Sequence, residues 1–352
     1  MTQFVKPLKI ICLCSLAFIT GCSNLGYYAQ SISGQLSILN NRQPIEELLV
    51  SDDIDPELKR KLKLTLKIRD FASEELELPE NDSYRSYVDT GRPYVVWNIV
   101  AAPEFSLKLE EWCFLFAGCI RYRGYFSEED VVEYSQQYRE KSYDVYLRGV
   151  AAYSTLGWFD DPILNTVIHR DDIQLVGLIF HELSHQVVYV DNDSAFNESF
   201  SKTVELEGIR LWLARNGEEK DFIKYKNDSS RRNDFIQLVI STYDKLEKLY
   251  AQNIPASEMR AKKQQVIEEM KDAYQEIKKH WNGYEGYDKW FSTEINNAKI
   301  AAITTYADFV PAFTALFKKS NNDFEKFYAA VEELGALPEK ERNAKLEKLG
   351  SM

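Results

Sequence analysis

Residues 171–200 read DDIQLVGLIFHELSHQVVYVDNDSAFNESF. Asp171 and Asp172 suit a helix N-cap and first turn, and the stretch contains no proline. From Ile173 to Val190 nearly everything is apolar except Gln174, His181, Glu182, Ser184, His185 and Gln186. A helix this apolar is buried almost all round. Two histidines four apart stack on one face of it, with Glu182 beside them. A buried, unpaired carboxylate costs several kcal/mol, so Glu182 needs a partner. A divalent cation with its water supplies one. His181 and His185 can reach a single zinc ion, which leaves positions for a third ligand and a water. Glu182 is then placed to take the water's proton as it attacks a carbonyl.

The third ligand lies downstream, where VDNDSAFNESFSKTVELEG restarts a helix with Asp193 or Ser194 as N-cap. Glu198 and Glu205 are seven apart and share a face. At the helical rise, His185 sits ~7 Å back from the end of the first helix and Glu198 ~6 Å into the second, so the two come level. Glu205 would lie nearer His181 and beyond. The arithmetic allows either and leans to Glu198. Glu207 points elsewhere.

The remainder of the 352-residue chain sets the context. A hydrophobic content of 45% builds a sizeable core, and a net charge of −12 without a basic stripe argues against nucleic acid as a partner. MTQFVKPLK followed by the short apolar run IICLCSLAFIT and then GCSNLG has the layout of a secretory signal, too short to span a membrane. ITGC looks like a bacterial lipobox, which makes Cys22 the lipidated first mature residue and residues 1–21 the signal. Serine after that cysteine is similar to sorting signals for the outer membrane of a Gram-negative cell. The expected location is thus the periplasm, with the membrane as a partner through the lipid. Of the remaining cysteines, Cys113 and Cys119 form a lone pair in an oxidising compartment and are a candidate disulfide.

Helical spacing covers 26–49 and 56–76; PYVVWNIVAAPEF is a strand; residues 105–126 are irregular or β; Ser127 opens a helix. DVYLRGVAAYSTLGWFDDP reads as a strand broken by Gly157 and ended by Pro162. Beyond residue 216 the chain is almost wholly helical, with 234–252 and 256–281 as an antiparallel hairpin and further helices over 296–319, 323–334 and 339–349. The expected division is a helical region 22–92, a catalytic region 93–215 and a helical region 216–352. The fold class is α+β, mainly α, with a small sheet beside the histidine helix.

HELSHQ followed by FNESFSKTVE resembles the gluzincin metallopeptidases, notably zinc aminopeptidases whose second motif reads Asn-Glu-x-Phe. More closely, GCSNLGYYAQSISGQL, AAPEFSL, AGCIRYRGYF, AYSTLGWFDDP, IFHELSHQ, FNESF and NNAKIA resemble the predicted-aminopeptidase family of Gram-negative lipoproteins across most of the mature chain. The resemblance implies a zincin-like core and one zinc per chain on His181, His185 and Glu198. It also implies Glu182 as general base and peptides as substrates. Twelve residues separate His185 from Glu198, fewer than in the gluzincins; nineteen separate it from Glu205, which stays as the alternative. Tyr153 is a candidate oxyanion donor and Tyr306 a weaker one. The strand before Gly157 could pair with a substrate backbone. Asp160 and Asp161 read as a turn before Pro162. His169 and His280 do not read as ligands. An endopeptidase, or a non-enzymatic binding lipoprotein using 216–352, remains as an alternative function.

Overall fold

The computed structural model describes residues 26–114, 118–152, 154–304 and 309–351. Cys22, Tyr153 and Tyr306 lie outside the described residues. The chain opens with helical residues 26–40 (α1), α2 (Ile45–Val50) and α3 (Pro56–Leu76). Asp55 starts α3 by accepting from the Glu57 and Leu58 amides, each at 3.0 Å, with Pro56 in the first turn where its missing N–H costs nothing.

Three small sheets follow. β3 (Val96–Pro103) is the centre of one, flanked antiparallel by β6 (Arg123–Tyr125) and β7 (Tyr143–Val150), which leaves β7 at an edge. β1 (Gln43–Pro44), β2 (Ser86–Val88) and β8 (Ile163–Leu164) form the second in that order. β4 (Trp112–Phe114) and β5 (Gly118–Ile120) form a hairpin in which Cys113 and Cys119 face each other and are disulfide-bonded. Helix α4 (Glu128–Arg139) is capped by Ser127, whose hydroxyl accepts from Asp130 N at 3.1 Å. The strand expected to run toward Pro162 stops at Val150. The chain then turns around Asp161, whose buried carboxylate accepts from both the amide and the hydroxyl of Thr155, at 2.8 and 2.9 Å.

After the short α5 (Asn165–Ile168) come α6 (Asp172–Ser184) and α7 (Ser194–Asn216), capped by Asp171 and Asp193. They pack closely because each contributes a glycine at the crossing. A Cβ on Gly177 would stand 2.8 Å from Ile209 Cδ1, and one on Gly208 would stand 2.7 Å from Phe180 Cδ2. The helix expected to reach Val190 ends at Ser184 instead. Asn197 explains the early stop: its buried amide accepts from Val190 N and donates to Val190 O, both at 2.8 Å, which holds 186–193 as a loop against α7.

The rest is helical: α8 (Glu219–Tyr250), α9 (Ala256–His280), α10 (Asp288–Ser292), α11 (Asn297–Thr304), α12 (Val310–Lys319), α13 (Phe324–Gly335) and α14 (Glu339–Gly350). The expected single helix over 296–319 is two elements, with Pro311 in the first turn of α12, where proline begins helices rather than continuing them. Helices α3, α6, α7 and α12–α14 share one core, in which Phe196 and Phe200 meet Phe313 and Phe200 also meets Phe327 and Tyr328. Helices α8–α10 enclose a second around Phe235, Tyr274 and Phe291. Arg342 of α14, almost fully buried, pairs with Asp193 Oδ2 and so ties the chain's end to the α7 cap. Among the described residues no helix is long and apolar enough to cross a membrane.

Candidate metal centre

His181 lies in the last turn of α6, His185 is its C-cap, and Glu198 stands in the second turn of α7. One ligand atom from each lies within 4.8 Å of the others. Glu198 bridges the pair, with Oε2 3.4 Å from His181 Nε2 and Oε1 3.8 Å from His185 Nε2. The second nitrogen of each ring is engaged elsewhere. His185 Nδ1 is 3.0 Å from Ser201 Oγ, and His181 Nδ1 is 3.4 Å from Glu205 Oε2, an ion-pair contact without hydrogen-bond geometry. Both Nε2 atoms therefore face the Glu198 carboxylate while their partners fix the rings from behind, the arrangement that metal-ligating histidines need.

Both sequence candidates for third donor reach His181, on opposite nitrogens. Glu205 sits behind the ring and is paired with Lys202, one helical turn before it. Glu198, Ser201, Lys202 and Glu205 fall at i, i+3, i+4 and i+7 along one face of α7. Glu207 is turned away onto Arg210 at 2.7 Å. His169 and His280 are exposed and outside the cluster.

The electrostatics follow from burial and these contacts. Burial works against charge on His181, but Glu198 and Glu205 outweigh it and raise it to about 10. Burial pushes His185 down to about 4, and a charged His181 adds to this. Glu182, next to His181 in sequence, is raised to about 7 by desolvation, reinforced by Glu198 and Asp161. A carboxyl near neutrality is suited to exchanging protons. Glu205 is buried too, yet Lys202 and then His181 hold it well below the usual carboxylate range.

Sequence reasoning missed several neighbours. Tyr84 is fully buried at a positive φ of 62° and donates its amide to Asp161 O at 2.6 Å. Burial pushes its phenol up, and the charges of Glu182 and Asp161 push it further, so it stays protonated beside them. Arg170 lies where Glu182 and Glu205 both support its charge against burial. Ser201 could have been read from its position three residues past Glu198; Tyr84 and Arg170 carry no comparable signal. Asp161, read as a turn former, is that, and burial also raises it to about 6.

Fold and site define a mainly helical α+β protein with two histidines and a carboxylate converging across an α6–α7 pair. The chain belongs to the Aminopep family, described as "Putative aminopeptidase", whose family model matches residues 26–346. No curated protein and no solved structure matches it.

Proposed function

We propose that this protein is a zinc-dependent peptide hydrolase, an aminopeptidase as its family's description suggests, with zinc on His181 Nε2, His185 Nε2 and the Glu198 carboxylate. The observation that carries the reading is the three-donor cluster with Glu182 one residue from its first histidine. Two neutral imidazoles and one carboxylate are a donor set suited to catalytic zinc, which keeps a fourth position open. When bound, zinc would supply Lewis acidity to a substrate carbonyl and lower the pKa of water toward 7.

The chain's own residues supply the rest. Glu182, poised near neutrality, takes the proton of the attacking water on its carboxylate and returns it to the departing amine. With Nδ1 of His185 donating to Ser201 Oγ, its Nε2 lone pair is left free. Glu205, 3.4 Å behind His181 Nδ1, favours a proton on that nitrogen by its charge and so leaves Nε2 for the metal, while Lys202 balances Glu205's charge. Edge strand β7 is where an extended substrate would pair by strand addition. A lipid on Cys22 would hold the enzyme at a membrane facing the periplasm.

Replacing Glu182 with Gln tests this directly. Zinc content should stay near one per chain, while turnover of a peptide library falls by ~100-fold or more, the usual contribution of a positioned acid–base group. Peptides with blocked amines should go uncut by the wild type; their cleavage would make it an endopeptidase. Unchanged turnover in the variant, or wild-type protein that takes up no zinc, would remove the reading.

A further inference from the structure

A cleft of about 470 Å³ opens beside Glu205, between the start of α6, α7, residues 224–240 of α8, the stretch before α10 and the start of α12. Its volume falls within the roughly 300–1,000 Å³ typical of small-molecule pockets. Leu206, Ile209, Ile236 and Ile240 give it apolar walls, with Tyr225 and Tyr287 beside them. Such walls fit an apolar or aromatic body.

Its charges do not balance. Three carboxylates line the cleft, and each already has a cation. Lys202 pairs with Glu205; Lys224 with Asp228 at 2.9 Å and Asp171 at 3.6 Å; Arg231 with Asp228 at 3.1 Å. Arg232 is left over. Its side chain is half exposed, it makes no hydrogen bond among the described residues, and its nearest carboxylate oxygen, Glu205 Oε1, is 4.0 Å away and committed to Lys202. A surplus guanidinium at the edge of an apolar wall selects a planar anion, because its fork can donate two parallel hydrogen bonds to one carboxylate.

We infer that this cleft binds a small organic carboxylate, its apolar body against Ile236, Ile240 and Tyr287 and its anionic head on Arg232. The shared chemistry is a carboxylate on an apolar group, and either a free acid or the C-terminal residue of a peptide carries it. The site is separate from the three metal donors, so it should bind without metal, and its test does not depend on the zinc reading.

Calorimetric titration of the chelator-treated full chain with 4-phenylbutyrate provides that test, beside the neutral 4-phenylbutyramide and the peptide Ala-Ala-Phe. Saturable binding of one acid per chain is expected, at least tenfold tighter than the amide. Arg232→Gln should abolish that preference, and Arg232→Lys, which keeps the charge but not the fork, should retain part of it. Circular dichroism verifies that both variants stay folded. Binding of phenylbutyrate alone assigns the cleft to free acids, and of Ala-Ala-Phe alone to a peptide end. Absence of saturable binding by either acid, equal binding of acid and amide, or an undiminished preference in Arg232→Gln would overturn the inference.

Discussion

Glu198 and Glu205 both touch His181, and exchanging each in turn separates ligand from support. Glu198 offers its oxygens to both Nε2 atoms, at 3.4 and 3.8 Å, and is the only carboxylate in the three-donor cluster. Removing it leaves a dication with two neutral ligands in a buried pocket. Stripping one partner from a buried charge pair costs about 3–5 kcal/mol, or roughly two to four decades in affinity. Glu205 acts through the back of one ring, and its charge is already offset by Lys202. Losing such an outer partner typically weakens a metal site by about 10–100-fold. Titration of zinc against a chromophoric chelator at fixed pH should therefore rank wild type above Glu205→Gln above Glu198→Ala, with roughly a decade between the variants at the middle of these ranges. Turnover should follow the same order at limiting zinc and be restored by excess zinc in Glu205→Gln alone. If Glu198→Ala keeps tight zinc while Glu205→Gln loses it, the nineteen-residue spacing names the true ligand and the geometric assignment is wrong.

Three further outcomes follow from the packing and the charges. Arg342→Ala should cost about 3–5 kcal/mol in urea denaturation, since it strands Asp193 at the α7 cap; a loss under 1 kcal/mol would mean the pair is solvated. Gly177→Ala should cost about 1–3 kcal/mol and loosen zinc binding, because the new methyl would meet Ile209 Cδ1 at 2.8 Å and Glu205 Cγ at 3.1 Å; unchanged stability and affinity would show that α6 and α7 part freely. In metal-free protein, His181 is raised above its unfolded value, so its contribution is fully present below pH 6.5 and is lost as pH climbs toward about 10. The stability difference between wild type and His181→Gln should accordingly shrink across that window, by a few kcal/mol at most; parallel pH curves would deny the Glu198–His181–Glu205 sandwich.

What the sequence made legible is what depends on short-range periodicity. Two histidines four apart share a helix face whatever the fold around them, so His181 and His185 could be paired without a structure. Glu198 came within reach because Asp193 caps α7 where a helix start was expected, even though α6 stops six residues early. That stop was invisible because its cause is a side chain thirteen residues beyond Ser184: the Asn197 amide occupies both backbone groups of Val190. The same limit hid where α8 begins, within a stretch expected only in general to be helical. Residues 219–233 are polar on nearly every side and show no apolar stripe, so nothing local announces a helix there. Tyr84 and Arg170 reach the Glu182 neighbourhood from separate loops, which periodicity cannot join. Even the choice between Glu198 and Glu205 turned on long-range geometry. Both share the α7 face, and only the packing of α6 across Gly177 and Gly208 decides that one faces the two Nε2 atoms and the other the back of a ring. The candidate donors thus belong to local sequence, whereas their proposed division into ligand and support belongs to a helix crossing that two glycines permit.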